Sequence, residues 1–156
     1  VDLGTVRTGG MVDDYFVIRF LRPALAPELK VSLKASYLMR TPEPRFVLHG
    51  TLGSFVKYGI DRQEEDLIAG KSPLEQNWGK EDEEFYGWLH TEADGREINT
   101  RYEGPAGNYG AFYENIYRHL RLNEALETDA SEVLDVIRII EAAYQSHKEE
   151  RIIHLR

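Results

Sequence analysis

The sequence contains no cysteine, which excludes disulfides, thiolate nucleophiles and cysteine-held metals and suits a cytoplasmic chain. No apolar run approaches the ~20 residues that a membrane span needs. No basic segment leads into an apolar one, so no secretory signal is expected. A basic surplus is also missing: 19 Lys and Arg stand against 27 Asp and Glu, a net charge of -8. Binding a phosphate backbone needs a basic face, so nucleic acid is not expected as a partner, and the charge is read as a source of solubility. The five histidines (His49, His90, His119, His147 and His154) show no HExxH or paired spacing, so no metal site is assigned. A serine elbow fails too, because Gly53-Ser54-Phe55 lacks its second glycine.

What is present is alternation. Residues 15–21 put Phe16, Ile18 and Phe20 on one side, and Tyr15, Val17 and Arg19 on the other, which predicts a strand. Pro23 and Pro27 make 22–27 a connection. Residues 29–38 alternate more cleanly, Leu29, Val31, Leu33, Ala35 and Tyr37 against Lys30, Ser32, Lys34 and Ser36, as a half-buried antiparallel strand does. After Thr41-Pro42-Glu43-Pro44, strands are expected at 45–49 and 54–58, joined by the reversal Gly50-Thr51-Leu52-Gly53. Asp61 to Glu64 fits a capping box for a short helix over 62–69 that ends at Gly70. Residues 71–84 form a long polar loop, of the sort that is often functional or ordered by a partner.

Asp94-Gly95 marks a hairpin between strands at 85–92 and 96–103. Asn108 is placed as the N-cap of an amphipathic helix with Tyr109, Phe112, Tyr113, Ile116, Tyr117 and Leu120 on its core side. Asp129 with Glu132 caps a second long helix, to about Lys148, whose buried side is Val133, Val136, Ile137, Ile140 and Tyr144. Ile152, Ile153 and Leu155 suggest a last strand. The order is strands, a helix, a hairpin, then two helices. That predicts an α+β fold: one large, mostly antiparallel sheet with helices packed on one face. Tyr15, Val17, Val47 and His49 make the other face too apolar for plain solvent, and it is expected to form a homodimer.

The stretch Pro44-Arg45-Phe46-Val47-Leu48-His49-Gly50-Thr51-Leu52-Gly53-Ser54-Phe55-Val56-Lys57-Tyr58-Gly59-Ile60-Asp61 is distinctive. With Gln63-Glu64, Trp78-Gly79, Gly107-Asn108-Tyr109, Phe112-Tyr113 and the helix from Val136 to Ala143, it resembles the C-terminal domain of the Gfo/Idh/MocA oxidoreductases. Within that family the likeness is to the branch of bacterial scyllo-inositol-type dehydrogenases. It covers the chain from about Asp13 to Ile153, so residues 1–156 are read as one C-terminal substrate-binding and oligomerisation domain.

The resemblance implies a two-domain enzyme. A Rossmann domain would bind NAD or NADP, and a sugar, polyol or inositol would be oxidised or reduced by hydride transfer. The family's Glu-Lys-Pro and Asp-x-x-x-His signatures are not found. Asp2-Leu3-Gly4 echoes the second, but Val6 stands where the histidine belongs. No catalytic, cofactor-binding or metal residue is therefore assigned, and the chain alone is expected to be inactive. It begins at Val1 without methionine and is expected to be part of a longer protein. Arg40, Thr41, Arg45, Asn108 and Tyr109 are the candidate contacts to a polyhydroxylated substrate, as donors and flat packing surfaces. The alternative is a stand-alone, non-catalytic dimerisation or ligand-binding module of the same fold.

Overall fold

A computed structural model describes residues 1–5, 12–21 and 28–155; the expected connection at 22–27 lies outside them. The chain divides into two compact units, one made of Val1–Arg40 with Thr128–Arg156, the other of Thr41–Glu127. No helix among the described residues is long and apolar enough to cross a membrane.

The first unit holds strands β1 (Asp2–Gly4), β2 (Tyr15–Leu21) and β3 (Lys30–Ser36), antiparallel in that order. The β2–β3 register pairs Phe16 with Ala35, Ile18 with Leu33 and Phe20 with Val31, while Val17 meets Lys34 and Arg19 meets Ser32. Directly opposed residues share a face, so both predicted alternations fall into register, apolar row on apolar row. Helix α3 (Ala130–Glu149) completes the unit. Asp129 caps it, its Oδ1 accepting from the backbone of Ser131 at 2.7 Å and of Glu132 at 3.2 Å. The Ser131 side chain and these amides hold the Asp129 carboxyl below its ordinary range.

Its contribution to stability is therefore present above the unfolded carboxylate's range and is lost as pH falls through the lowered folded value. Asp129→Ala is expected to lower the melting temperature at pH 7 and to have a progressively smaller effect as the pH falls through the lowered folded value; an effect of the same size at every pH would count against the cap.

Two features differ from what the sequence suggests. The α3 stripe of Val133, Val136, Ile137, Ile140 and Tyr144 is exposed rather than buried, and Ala143, 5% exposed, is the buried apolar residue of the described chain. Periodicity identifies the apolar side of a helix; it does not supply the surface that covers it. Residues 152–155 form no strand. The helix stops at Glu150, whose φ of 50° is left-handed, and the Ser146 hydroxyl then holds the Arg151 carbonyl against the last turn.

The second unit contains β4 (Phe46–His49), β5 (Gly53–Lys57), helix α1 (Gln63–Ile68), a 3-10 turn (Glu83–Phe85), β6 (Gly87–Ala93), β7 (Arg96–Tyr102) and helix α2 (Tyr109–Leu122). Its sheet is antiparallel in the order β4-β5-β6-β7. Asp94 (φ 52°) and Gly95 (φ 69°) make the tight turn between β6 and β7, both in the left-handed region that this kind of hairpin requires. Asn108 caps α2, accepting from the Ala111 backbone at 3.1 Å. The α2 stripe of Phe112, Tyr113, Tyr117 and Leu120, expected in a core, is exposed like that of α3.

The α+β class is as expected; among the described residues it is built from three helices and two antiparallel sheets, where the sequence suggested one large sheet. β3 ends at Ser36 and β4 starts at Phe46. Between them Pro42 and Pro44 carry no N–H for a ladder.

Candidate functional site

The second unit is organised around one amide. Gln63 is 1% exposed at the start of α1. Its Oε1 accepts two hydrogen bonds, from the Trp78 indole at 2.8 Å and from the Tyr109 backbone N–H at 2.8 Å. Its Nε2 donates to Asp61 Oδ1 at 3.1 Å, and the same oxygen accepts from the Gln63 backbone at 3.0 Å. The expected capping box is thus replaced. Arg62 is the N-cap of α1 and makes no side-chain cap bond, while Asp61 braces the Gln63 amide. A buried amide left without partners would cost roughly 1–3 kcal/mol, and this one meets that requirement by joining three distant segments.

Two glycines let those segments approach. Gly107 donates its N–H to the Gly79 carbonyl at 2.9 Å. A Cβ on Gly79 would overlap the Gly107 carbonyl oxygen, and a Cβ on Gly107 would overlap Gln63 Nε2. The 71–84 loop, expected to be functional or partner-ordered, is held by its own unit. Lys57 Nζ lies 2.7 Å from both Glu81 carboxylate oxygens and donates to the Phe85 carbonyl at 2.8 Å. Arg62 reaches Asp82 at 2.6 Å, and Arg101 donates to the carbonyls of Glu83 at 2.6 Å and Glu84 at 2.9 Å. Burial, then the hydrogen bond with Glu103, raises the Tyr86 phenol above its usual range, so it stays protonated at neutral pH and is no general base.

The candidate contacts are placed unequally. Asn108 and Tyr109 stand together at the start of α2, exposed, with the Tyr109 N–H held by Gln63 and the preceding Gly107 N–H by the Gly79 carbonyl. Thr41 and Arg45 are exposed in the segment before β4, and Arg40 is exposed after β3. Among the described residues the Arg40 and Arg45 side chains make no ion pair, so both guanidinium groups are open to solvent.

None of the five lines either of two clefts in this unit. One, about 250 Å³, is crossed by the Arg62–Asp82 and Lys71–Asp66 pairs; the other, about 390 Å³, lies by Gly53, Ser54, His90 and Glu97. Gln63 was missed as a site residue because nothing local announces that a glutamine will meet a tryptophan 15 residues on and an amide 46 residues on. Among the described residues no three His, Asp or Glu side chains converge as a metal would require.

The open faces of the four-stranded sheet are apolar in part. Register places Val47, Val56, Trp88 and Arg101 in one row, with His49, Ser54, His90 and Asn99 beside it. Val47 is 48% and Trp88 49% exposed, and the Arg101 guanidinium lies 5.1 Å from the centre of the Trp88 ring. On the opposite side Phe46, Leu48 and Tyr102 are exposed too.

Comparison with known proteins identifies the family. The model of the oxidoreductase family's C-terminal alpha/beta domain matches residues 6–155. Scyllo-inositol 2-dehydrogenase (NADP(+)) IolW of Bacillus subtilis is 39% identical over 128 residues, which are 82% of this chain and 36% of that protein. An inferred oxidoreductase from Bacteroides fragilis superimposes with a TM-score of 0.92 at 62% identity, over 99% of this chain and 46% of the other. A Bacillus cereus oxidoreductase gives a TM-score of 0.81 at 32% identity, over 92% and 42%. The chain spans less than half the length of each of these three proteins.

Proposed function

This chain belongs to the Gfo/Idh/MocA oxidoreductases as their C-terminal alpha/beta domain, and on that premise we propose that it is the substrate-side and assembly part of an NAD(P)-dependent dehydrogenase. The substrate is a sugar, polyol or inositol that gains or loses a hydride. The observation that carries the substrate class is the match of 82% of the chain to a protein named as a scyllo-inositol 2-dehydrogenase using NADP(+). In this reading Asn108 and Tyr109, and the open Arg45 guanidinium with the Thr41 hydroxyl, meet the hydroxyls of the ligand.

Among the described residues, neither glycine-rich segment fits the nucleotide by itself. Gly50 to Gly53 is a reversal between antiparallel strands and leads into β5, not into a helix. The glycine loop before α2 has the Asp61 carboxylate beneath Gly107, where a would-be Cβ comes within 2.7 Å of Asp61 Oδ2, and a carboxylate there opposes a phosphate. In this reading NAD(P) and the proton-transfer groups are held by residues other than those described in this structure. This chain's share is to bind and orient.

The test is steady-state kinetics with scyllo-inositol and NADP(+). The longest natural polypeptide carrying this chain should turn over, and Tyr109→Ala and Arg45→Ala should each raise KM for scyllo-inositol about tenfold, one well-placed contact being worth about 1.4 kcal/mol. Turnover by the 156-residue chain alone would overturn the division of labour, and unaltered KM in both variants would overturn the site.

The assembly role rests on the Val47–Val56–Trp88–Arg101 row. An exposed tryptophan stacked by arginine among valines has the composition of an interface centre, and closed two-fold dimers are the commonest assembly. Val47→Glu with Trp88→Glu should halve the sedimenting mass without loss of the far-ultraviolet circular dichroism signal. A mass unchanged from the parent's would rule this face out.

A further inference from the structure

We infer that Gln63 is a positioning residue for the substrate end of the protein: its amide sets where α2 begins, and with it where Asn108 and Tyr109 stand. The inference rests on the reading above that these two residues touch the substrate. It adds a residue that touches no ligand and acts through the backbone of one that does.

Hydrogen-bonding capacity is the starting point. The first amides of a helix have no partner inside it. At α2 the Asn108 side chain is used on Ala111, which leaves the Tyr109 N–H to be met by something else. Gln63 Oε1 meets it at 2.8 Å and takes the Trp78 indole on its other lone pair at 2.8 Å. Both acceptor positions of that oxygen are filled. The amide cannot rotate to exchange its ends, because Nε2 is held by Asp61 at 3.1 Å. Nor can it slide, because Gly107 lies against Nε2 with no room for even a methyl group between them.

The first turn of α2 is therefore located by a side chain that enters from α1, with Trp78 as a third fixed point. A leucine would fill the same space. What it would not do is distinguish one placement of the Tyr109 amide from another a fraction of an ångström away. Substrate affinity depends on such placements. Nothing else on Gln63 faces solvent or a cleft, so binding of NADP(+) is outside its reach.

The experiment uses the longest natural polypeptide carrying this chain, with scyllo-inositol as the substrate probe. Gln63→Leu removes all three amide bonds. Gln63→Glu keeps the acceptor but sets two carboxylates against each other at Asp61. The double variant Asp61→Asn with Gln63→Glu reverses donor and acceptor and restores the bond at unchanged net charge. Gln63→Leu is expected to raise KM for scyllo-inositol about tenfold or more, with KM for NADP(+) within about twofold of the parent. Gln63→Glu should raise the same KM, and the double variant should return most of the loss.

A lowered melting temperature with unchanged KM in every variant would make Gln63 merely structural and overturn the inference. Should Gln63→Leu fail to fold, the comparison of Gln63→Glu with the double variant decides: equal KM for the two overturns it. Tyr109→Ala separates the two readings. If Tyr109→Ala raises KM and the Gln63 variants do not, the positioning role fails and the site stands. If Tyr109→Ala leaves KM unchanged, the site itself fails and the positioning role falls with it.

Discussion

Gly79→Ala is expected to lower the unfolding free energy of the Thr41–Glu127 unit by about 2–5 kcal/mol, the sum of a left-handed backbone penalty of about 1–2 kcal/mol and an overpacking cost of about 1–3 kcal/mol. Gly79 has a φ of 71°. Its added Cβ would overlap the Gly107 carbonyl oxygen and lie within 3.0 Å of that residue's carbonyl carbon and nitrogen. These are backbone atoms, so no side chain can swing aside. The loop has to move, and it carries Trp78 away from Gln63 as it does. Gly70 supplies the control. Its φ is 79°, yet a Cβ there meets nothing within 4 Å, so Gly70→Ala should cost only the backbone share, about 1–2 kcal/mol. Urea midpoints measure both. Equal shifts for the two variants would show that the close approach to Gly107 carries no energy.

Lys57→Met should rank next, at about 3 kcal/mol, the lower end of what removing one partner of a buried ion pair costs. The side chains of Lys57 and Glu81 are 14% and 7% exposed. Removing the ammonium leaves a carboxylate with little water and no counter-charge. The cost measures the stranded acid more than the worth of the pair. Lys57→Met with Glu81→Leu is therefore expected to recover most of the loss. If the double variant is as unstable as the single one, the lysine acts through its bond to the Phe85 carbonyl, and the ion-pair account is wrong.

Local features were legible in the sequence. The β2 and β3 alternations, the Asp94-Gly95 turn and the Asn108 and Asp129 caps all appear where the residues placed them, because each is decided within a few neighbouring residues. The helical stripes were legible as to side but not as to burial: Ile137 or Tyr113 reports an apolar face and says nothing about what covers it. The single sheet could not be separated into two by pattern alone, since a ladder ends where partners stop meeting. Gln63 was the least legible. Its partners lie 2, 15 and 46 residues away and meet only in the folded unit. The family motifs offered the one available signal. Asp61, Gln63, Trp78-Gly79 and Gly107-Asn108-Tyr109 all stood in the resemblance, and the structure brings them to a single amide.

One edge of the second sheet bears on aggregation. β4 is one of the two terminal strands of that sheet, paired among the described residues with β5 alone. It reads Phe-Val-Leu-His, uncharged except for a histidine when protonated. A terminal strand of that composition invites a foreign strand to extend the ladder, the first step toward fibrils. Here the invitation is short. The strand is four residues long, and Pro44 stands two residues before it with no N–H to offer. A stranger could form a few bonds and no more. Lengthening this strand, or replacing Pro44 with a β-branched residue, would convert a tolerated edge into a seed.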